Sequence, residues 1–313
     1  VTAPTIPGLE NSTPTHEPPQ RRYKRGTKAT LLGLALVLPN LILLLVFTYR
    51  PLIDNIRLSF YNWNIASTRP ATFVGLDNYI EWAQNPVSWQ IVLQTAIFTV
   101  AAVAGSMVLG LALALLLDRP LRGRNAVRSL VFAPYVISGA AVGVAFQFVF
   151  DPGYGLIQDL LGRVGLDSPQ FYTNPNWALF MITTTYIWKN LGYTFVIYLA
   201  ALQGLRKDLD EAAEIDRTPR LRKFFKVTLP QLRPTTFFLS ITVLLNSLQV
   251  FDIINVMTRG GPLETSTTTL VYQVYQETFV NSRAGYGAAI ATIMFLAVLV
   301  ITVVQVRMQE RDK

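Results

Sequence analysis

The chain has 313 residues, of which 51% are hydrophobic and only 15% charged, with a mean hydropathy of +0.35; a soluble domain is nearer about 25% charged, so the composition speaks for a membrane protein. It holds no cysteine, and its one histidine, His16, sits in a Pro/Thr-rich stretch, which excludes disulfide frameworks, thiolate zinc sites, histidine triads and HExxH-type metal sites. The net charge of +8 raises a nucleic-acid partner, and the distribution of the basic residues tests that reading.

Residues 1–20 are rich in Pro and Thr and have almost no apolar periodicity, so the basic tail over 1–28 is expected to be disordered. A membrane-crossing helix needs about 20 mostly apolar residues. Six stretches meet that need, at roughly 29–49, 91–117, 129–150, 177–203, 235–257 and 285–306. No signal-peptide cleavage pattern precedes the first, which is read as a retained helix interrupted at Pro39 and Asn40. Between the first two, "FVGLDNY" (73–79) predicts a turn at Gly75 and Asp77. The third stretch carries Gly139 and Gly143, a GxxxG pair suited equally to packing within the chain and to a dimer face. The fourth contains Lys189, and the fifth has Asp252 toward one end.

Of the 27 Lys and Arg, twenty lie in segments 1–28, 118–128, 204–234 and 307–313. Six lie in the alternating segments 50–90, 151–176 and 258–284, and Lys189 completes the count. Basic residues concentrate on the cytoplasmic side, so both termini, including the short tail 307–313, are expected there. Tyr49, Trp82, Trp89, Tyr172 and Trp177 cluster at the opposite boundary, as an interfacial aromatic belt does. Once orientation is assigned, no basic patch is left over for nucleic acid.

The fourth and fifth stretches are joined by a polar cytoplasmic segment, 204–234, which contains "EAAEIDRTPRLRKFFKVTLP" (211–230). Its signals predict two short helices. Asp208 can cap the first with Glu211 three residues on, and Thr218 followed by Pro219 can open the second. Leu221, Phe224, Phe225, Val227 and Leu229 give the second an apolar face, and Arg220, Arg222, Lys223 and Lys226 a basic one. Taken alone, that pattern describes an amphipathic helix on the inner leaflet.

The order of residues is more specific. "EAAEID", then a turn, then "FFKVTLPQLRP" (224–234), resembles the EAA loop of permease subunits of binding-protein-dependent ABC importers. The match covers Glu211, Ala212, Ala213, Asp216, Phe224, Leu229 and Pro230. One departure stands out: the family usually has Gly after the Asp, and this chain has Arg217, which must keep an ordinary φ or accept a penalty. The Thr218-Pro219 pair is an alternative way to set the turn. "FVGLDNY", "LVFAPYVISG" (130–139), the segment 251–279 with its "TRGGPLETSTT", and "GYGAA" (285–289) resemble sugar-type permeases of the same family, so the likeness runs from about residue 30 to 306. "YRPLIDNIRLSFYNWN" (49–64) is most similar to first permease subunits of glycerol-3-phosphate and glycerophosphodiester importers.

The resemblance implies an all-α integral membrane protein of the type I ABC importer permease fold, with six transmembrane helices over 29–306. It implies that 204–234 forms coupling helices docked on a cytoplasmic ATPase, with Glu211, Ala212, Ala213, Asp216, Arg217, Thr218 and Phe224 at the contact. It implies a second homologous permease, two ATPase subunits, an extracytoplasmic solute-binding protein and a bacterial plasma (inner) membrane. The chain has no GxxxxGK[ST] motif and no Gly-Lys pair, so ATP and Mg²⁺ are expected on the partner ATPase, with no cofactor or metal on this chain.

Polar groups within spans are costly and mark pathways. Lys189, Asn190 and Tyr193 are candidates to hydrogen-bond a polyol or an anionic solute. Lys189 could equally pair with Asp252 or with carbonyls of a neighbouring helix. Asn246, Gln249, Asp252 and Asn255 recur every three residues and are expected on one face of the fifth span, lining a pathway or bonding helix to helix. Gln147 is a lesser candidate. "TRGGPLETSTT" is expected to form an outer gate toward the binding protein, or simply a Gly-rich connection. Two other functions compete. A self-sufficient secondary transporter would commonly show internal repeats, and none is visible. A membrane-embedded transferase needs convergent acid–base groups, and the spans offer only Lys189 and Asp252.

Overall fold

The computed structural model describes residues 27–118, 123–262 and 265–311. The expected tail therefore lies outside the described residues up to position 26, and its last two residues already begin a helix. The chain divides into two units, residues 1–52 and 53–313. The first holds helix α1 (Thr27–Leu44), a π-helical turn (Leu45–Tyr49) and the start of α2 (Arg50–Leu58). Pro39 does not interrupt α1. The irregularity falls after Leu44, where the wide turn accommodates an extra residue without ending the helix.

The second unit opens with the end of α2 and a short antiparallel hairpin, β1 (Tyr61–Asn62) and β2 (Thr72–Phe73). Gly75 takes φ +60° in the turn that follows, and Asp77 begins α3 (Asp77–Gln84), as the motif predicts. Then come α4 (Pro86–Leu117), α5 (Arg124–Val136), α6 (Gly139–Val149), α7 (Leu156–Gly162) and α8 (Pro175–Gln203). The polar segment contributes α9 (Lys207–Ile215) and α10 (Arg220–Lys223). A π-helical turn (Phe224–Thr228) and α11 (Leu229–Gln231) continue α10. The chain closes with α12 (Arg233–Leu248), α13 (Asp252–Met257), α14 (Leu270–Tyr275) and α15 (Ala284–Arg311).

Among the described residues, four single stretches are long and apolar enough to cross a membrane: Leu34–Leu58, Pro86–Leu117, Arg233–Met257 and Ala284–Met308. The third expected span is not one rod. It is a pair, Asn125–Val136 and Gly139–Val149, bent by 102°. Pro134 removes a backbone donor near the end of α5. Ile137 and Ser138 are extended, and the Ser138 hydroxyl accepts from Ala141 N at 3.3 Å to start α6. The fourth expected span is α8, whose 29 residues are long enough but whose polar content lowers its hydropathy. Its Thr183, Thr185, Asn190 and Thr194 are buried. The six-span expectation is consistent with these elements. The expected tail 307–313 is helical through Arg311, as an extension of α15.

Helix α8 is the hub. It packs against α4, α5, α6, α12 and α13. One apolar core gathers Phe98, Met181, Ile182, Tyr186, Ile253 and Ile254 around it; another gathers Phe195, Tyr198, Leu199, Leu232 and Leu239. The GxxxG pair packs within the chain: Gly139 lies against the Asp252 side chain, and Gly143 against Val256 and Met257. At the other end the hairpin is stapled to α15. Gly285 N donates to Trp63 O at 3.2 Å, Ile65 N donates to Ser282 O at 2.9 Å, and the Asn78 amide bonds the carbonyls of Ser59 and Tyr61. Arg283 donates to both carboxylate oxygens of Glu81 at 2.6 Å.

Gly285 has no room for a Cβ, because the Tyr61 carbonyl oxygen fills that space, whereas Gly162 faces nothing within 4 Å. Gly285→Ala is expected to destabilise the protein by about 1–3 kcal/mol and to expose 61–73 to limited proteolysis. Gly162→Ala should leave the thermal midpoint unchanged or slightly raised.

Candidate functional site

The polar segment folds as a clasped pair of helices. Lys223 donates to Glu214 at 3.2 Å, tying α10 to α9, and Gln231 accepts from Arg206 N at 3.2 Å, tying the end of α11 to the start of α9. Ala213 is buried between them, while Glu211, Ala212 and Asp216 are exposed. Large apolar side chains stay in the open: Ile215 is 82% exposed, Leu221 76% and Phe225 60%. Phe224 is half-buried and meets Phe225 edge-on at 5.0 Å. The hairpin thus combines charge with exposed apolar side chains.

Both expected caps differ. Asp208 lies inside α9 and accepts from the Arg206 guanidinium, and Arg206 itself occupies the cap position with no side-chain cap bond. The guanidinium bond holds the Asp208 carboxyl below the ordinary carboxylate pKa. Thr218 stands outside the second helix, and the extended Pro219 occupies the cap with no side-chain bond. With ψ at 142° Pro219 is not helical, so the helix starts at Arg220.

Arg217 sets the turn, at φ +46°. Thr218 N bonds Ala213 O at 2.9 Å and Arg217 N bonds Glu214 O at 3.0 Å. These two bonds make a Schellman motif with Arg217 in its left-handed position, the place where Gly is usual. The Thr-Pro pair therefore does not replace the glycine; Arg217 adopts the glycine's conformation.

A second cluster sits at the α5–α6 elbow. Lys189 Nζ donates to Tyr135 O at 3.4 Å and lies 5.5 Å from the Tyr135 ring. Tyr135 stacks on Tyr193 at 5.2 Å, and the Tyr193 hydroxyl donates to Thr242 at 3.3 Å. Of the alternatives open to Lys189, it uses the neighbouring helix's carbonyl; among the described residues no ion pair joins it to Asp252. Asp252 accepts from Ile253 N at 2.9 Å at the start of α13 and packs on Gly139, the first residue of α6. Asn190 turns away from this cluster, buried and bonded back to Tyr186 O at 2.9 Å.

The expected polar stripe is not one face. The fifth span breaks over 249–251, between α12 and α13. Asn246 and Gln249 are exposed before and in the break, and Asp252 turns to α6. Asn255 lines a separate cavity of about 610 Å³ with Gln147, Arg259, Tyr272 and Tyr275. Gln147 also donates to Val256 O at 2.7 Å. In "TRGGPLETSTT", Leu263 and Glu264 lie outside the described residues. Thr267 and Thr268 are buried, and their hydroxyls bond Gly261 O and Gly260 O at 2.9 and 3.1 Å. Tyr135, Thr242 and Arg259 were not singled out from sequence. Pro134 beside Tyr135 was the available signal for the first.

With this geometry in view, comparison with known proteins is decisive. Residues 106–312 match the family described as "Binding-protein-dependent transport system inner membrane component". The chain belongs to this family. It is 35% identical over 277 residues to the sulfoquinovosyl glycerol transport system permease protein SmoG of Agrobacterium fabrum, covering 88% of this chain and 90% of that one. It is 33% identical over 291 residues to the sn-glycerol-3-phosphate transport system permease protein UgpA of Pectobacterium atrosepticum, covering 91% and 96%. Its fold matches a chain of a bacterial ABC transporter for import of the acidic polysaccharide alginate, with TM-score 0.80, 25% identity and coverage of 91% and 96%. A second alginate transporter structure, in complex with a pentasaccharide-bound periplasmic protein, gives TM-score 0.79. The permease is thus a membrane transport component and not an enzyme; the ATPase is a separate subunit. Both the self-sufficient carrier and the transferase fall away.

A non-glycine residue held in the left-handed region costs about 1–3 kcal/mol. Arg217→Gly is expected to stabilise the turn by about 1 kcal/mol, slowing hydrogen exchange of the 217 and 218 amides roughly fivefold.

Proposed function

We propose that this permease forms one half of a translocation pathway in the inner (plasma) membrane of a bacterium. It works beside a second homologous permease, with two ATPase subunits below and a solute-binding protein outside. ATP-driven closure of the ATPases acts on residues 208–226, and the permease pair rocks between inward- and outward-facing states. The observation that carries this reading is the clasped α9–α10 hairpin, which presents Glu211, Ala212, Ile215, Leu221 and Phe225 to the exterior beside the strained Arg217 turn. In this reading Asp216 adds to the exposed face, and Thr218 and Phe224 shape it from within.

The solute is a small polar molecule of the glycerol-phosphate or acidic-sugar type. The relatives support this, since they are named for transport of sulfoquinovosyl glycerol, sn-glycerol-3-phosphate and the acidic polysaccharide alginate. So do two cations, one at the elbow and one at the cavity. Lys189 commits one of its three donors to Tyr135 O. Arg259 stands exposed beside Asn255, Gln147 and Tyr275 in the 610 Å³ cavity. Tyr193, Asn246, Gln249 and Asp252 would complete the polar lining between them, with Asn190 supporting α8 from behind.

ATPase stimulation in the reconstituted complex, with the cognate binding protein and a panel of phosphate-bearing, sulfonated and neutral solutes, tests the solute class. A response confined to neutral sugars would overturn it. Glu211→Lys should cut solute-stimulated ATP hydrolysis by roughly tenfold or more, the scale of a lost interface anchor, while membrane insertion stays intact. Arg259→Gln should lower uptake of a phosphate-bearing solute roughly tenfold and that of a neutral sugar less than about twofold.

A further inference from the structure

One charge at the coupling-loop end of α5 and α8 has no part in the pathway. Arg128 lies about one turn into α5, and its Nε and Nη2 atoms are shielded from solvent without a hydrogen-bond partner among the described residues. A guanidinium stays charged wherever it is placed. Leaving its buried N–H groups unbonded forfeits their solvation with nothing in return. The site therefore calls for an anion.

The surroundings say which anion. Helices α5 and α8 touch at Gly192, which lies against the Val131 carbonyl and Phe132 Cα. Toward Gln203, the last residue of α8, a groove of about 330 Å³ opens between them. Its polar lining is Arg128, Ser129 and Gln203. Its apolar lining is Phe132 of α5 with Val196, Leu199 and Ala200 of α8. A free phosphate or a carboxylate side chain would use only the polar part. The apolar wall, and the outward-facing Leu130 and Val136 at 75% and 72% exposure, suit acyl chains. The basic segment before α5 and the coupling loop after α8 put this groove at a membrane boundary, where anionic headgroups gather.

We propose that the groove is a binding site for one anionic phospholipid. Its phosphate accepts a charge-assisted bond from the edge of the Arg128 guanidinium that lines the groove and further bonds from Ser129 and Gln203, and its negative charge offsets the cost of burying Nε and Nη2. Its first acyl carbons lie along Phe132, Val196 and Leu199. The lipid braces the base of α8, the helix from which the coupling loop departs, so coupling depends on lipid charge.

The test uses the assembled complex in mild detergent, followed by native mass spectrometry and thermal unfolding. The probes are phosphatidylglycerol, phosphatidylcholine with the same chains, and inorganic phosphate. Phosphatidylglycerol should be retained and should raise the thermal midpoint, and the other two should not. Arg128→Gln should weaken phosphatidylglycerol retention roughly tenfold, the loss of a charge-assisted bond, and Arg128→Lys less so. Ala200→Phe, at an exposed position, should also weaken it by filling the groove while leaving the charge in place. Equal retention of the two lipids, unaltered retention by Arg128→Gln, or full stabilisation by inorganic phosphate alone would each overturn the proposal.

Discussion

A helix inside a membrane cannot break unless its freed backbone groups find other partners, and this permease breaks two. The α5–α6 elbow bends by 102°, and the fifth span opens over 249–251. Each break creates helix ends with partial charges, negative where carbonyls are bare and positive where N–H groups are. Lys189 and Asp252 answer those charges. Lys189 bonds the Tyr135 carbonyl near the end of α5. Asp252 stands at the start of α13 and against the start of α6. The two residues that most suggested an ion pair from sequence are thus each paired with a helix end.

That arrangement fits a helix, α8, that carries buried polar groups and is also the hub. Its threonines turn their hydroxyls to its own carbonyls or to α4, as Thr194 does to Ser106 O at 2.7 Å, and Thr185 to Met181 O at 2.9 Å. Satisfied in this way, they pack in the core at little cost. Lys189 and Tyr193 remain on the side that meets α5 and α12. One helix therefore supplies the packing, secures the elbow and leads directly into the α9–α10 hairpin.

The broad plan was legible because it rests on long apolar runs, which need no tertiary information. The elbow was not, because Val136 and Ile137 continue an apolar run that a window cannot tell from a straight span. Its signals, Pro134 and a capping Ser138, were present but short. The polar stripe failed for a related reason: a spacing of three defines a face only on an unbroken helix, and the break at 249–251 divides it. In the coupling segment, Asp208 was misread because Arg206, two residues back, is a stronger partner than an amide. Arg217 shows the opposite case. The absence of the family's glycine was plain in the sequence, but only the paired bonds to Ala213 and Glu214 reveal that the arginine takes over its left-handed place.

The Lys189–Tyr135 bond also has a mechanical meaning. Opening the elbow would strip the Tyr135 carbonyl of this partner, so the bond ties α5 to α8 at the bend. At the break over 249–251, Gln249 is exposed and the Thr269 hydroxyl donates to Val250 O at 3.5 Å. A charged side chain thus braces the elbow, and a neutral hydroxyl meets the other break.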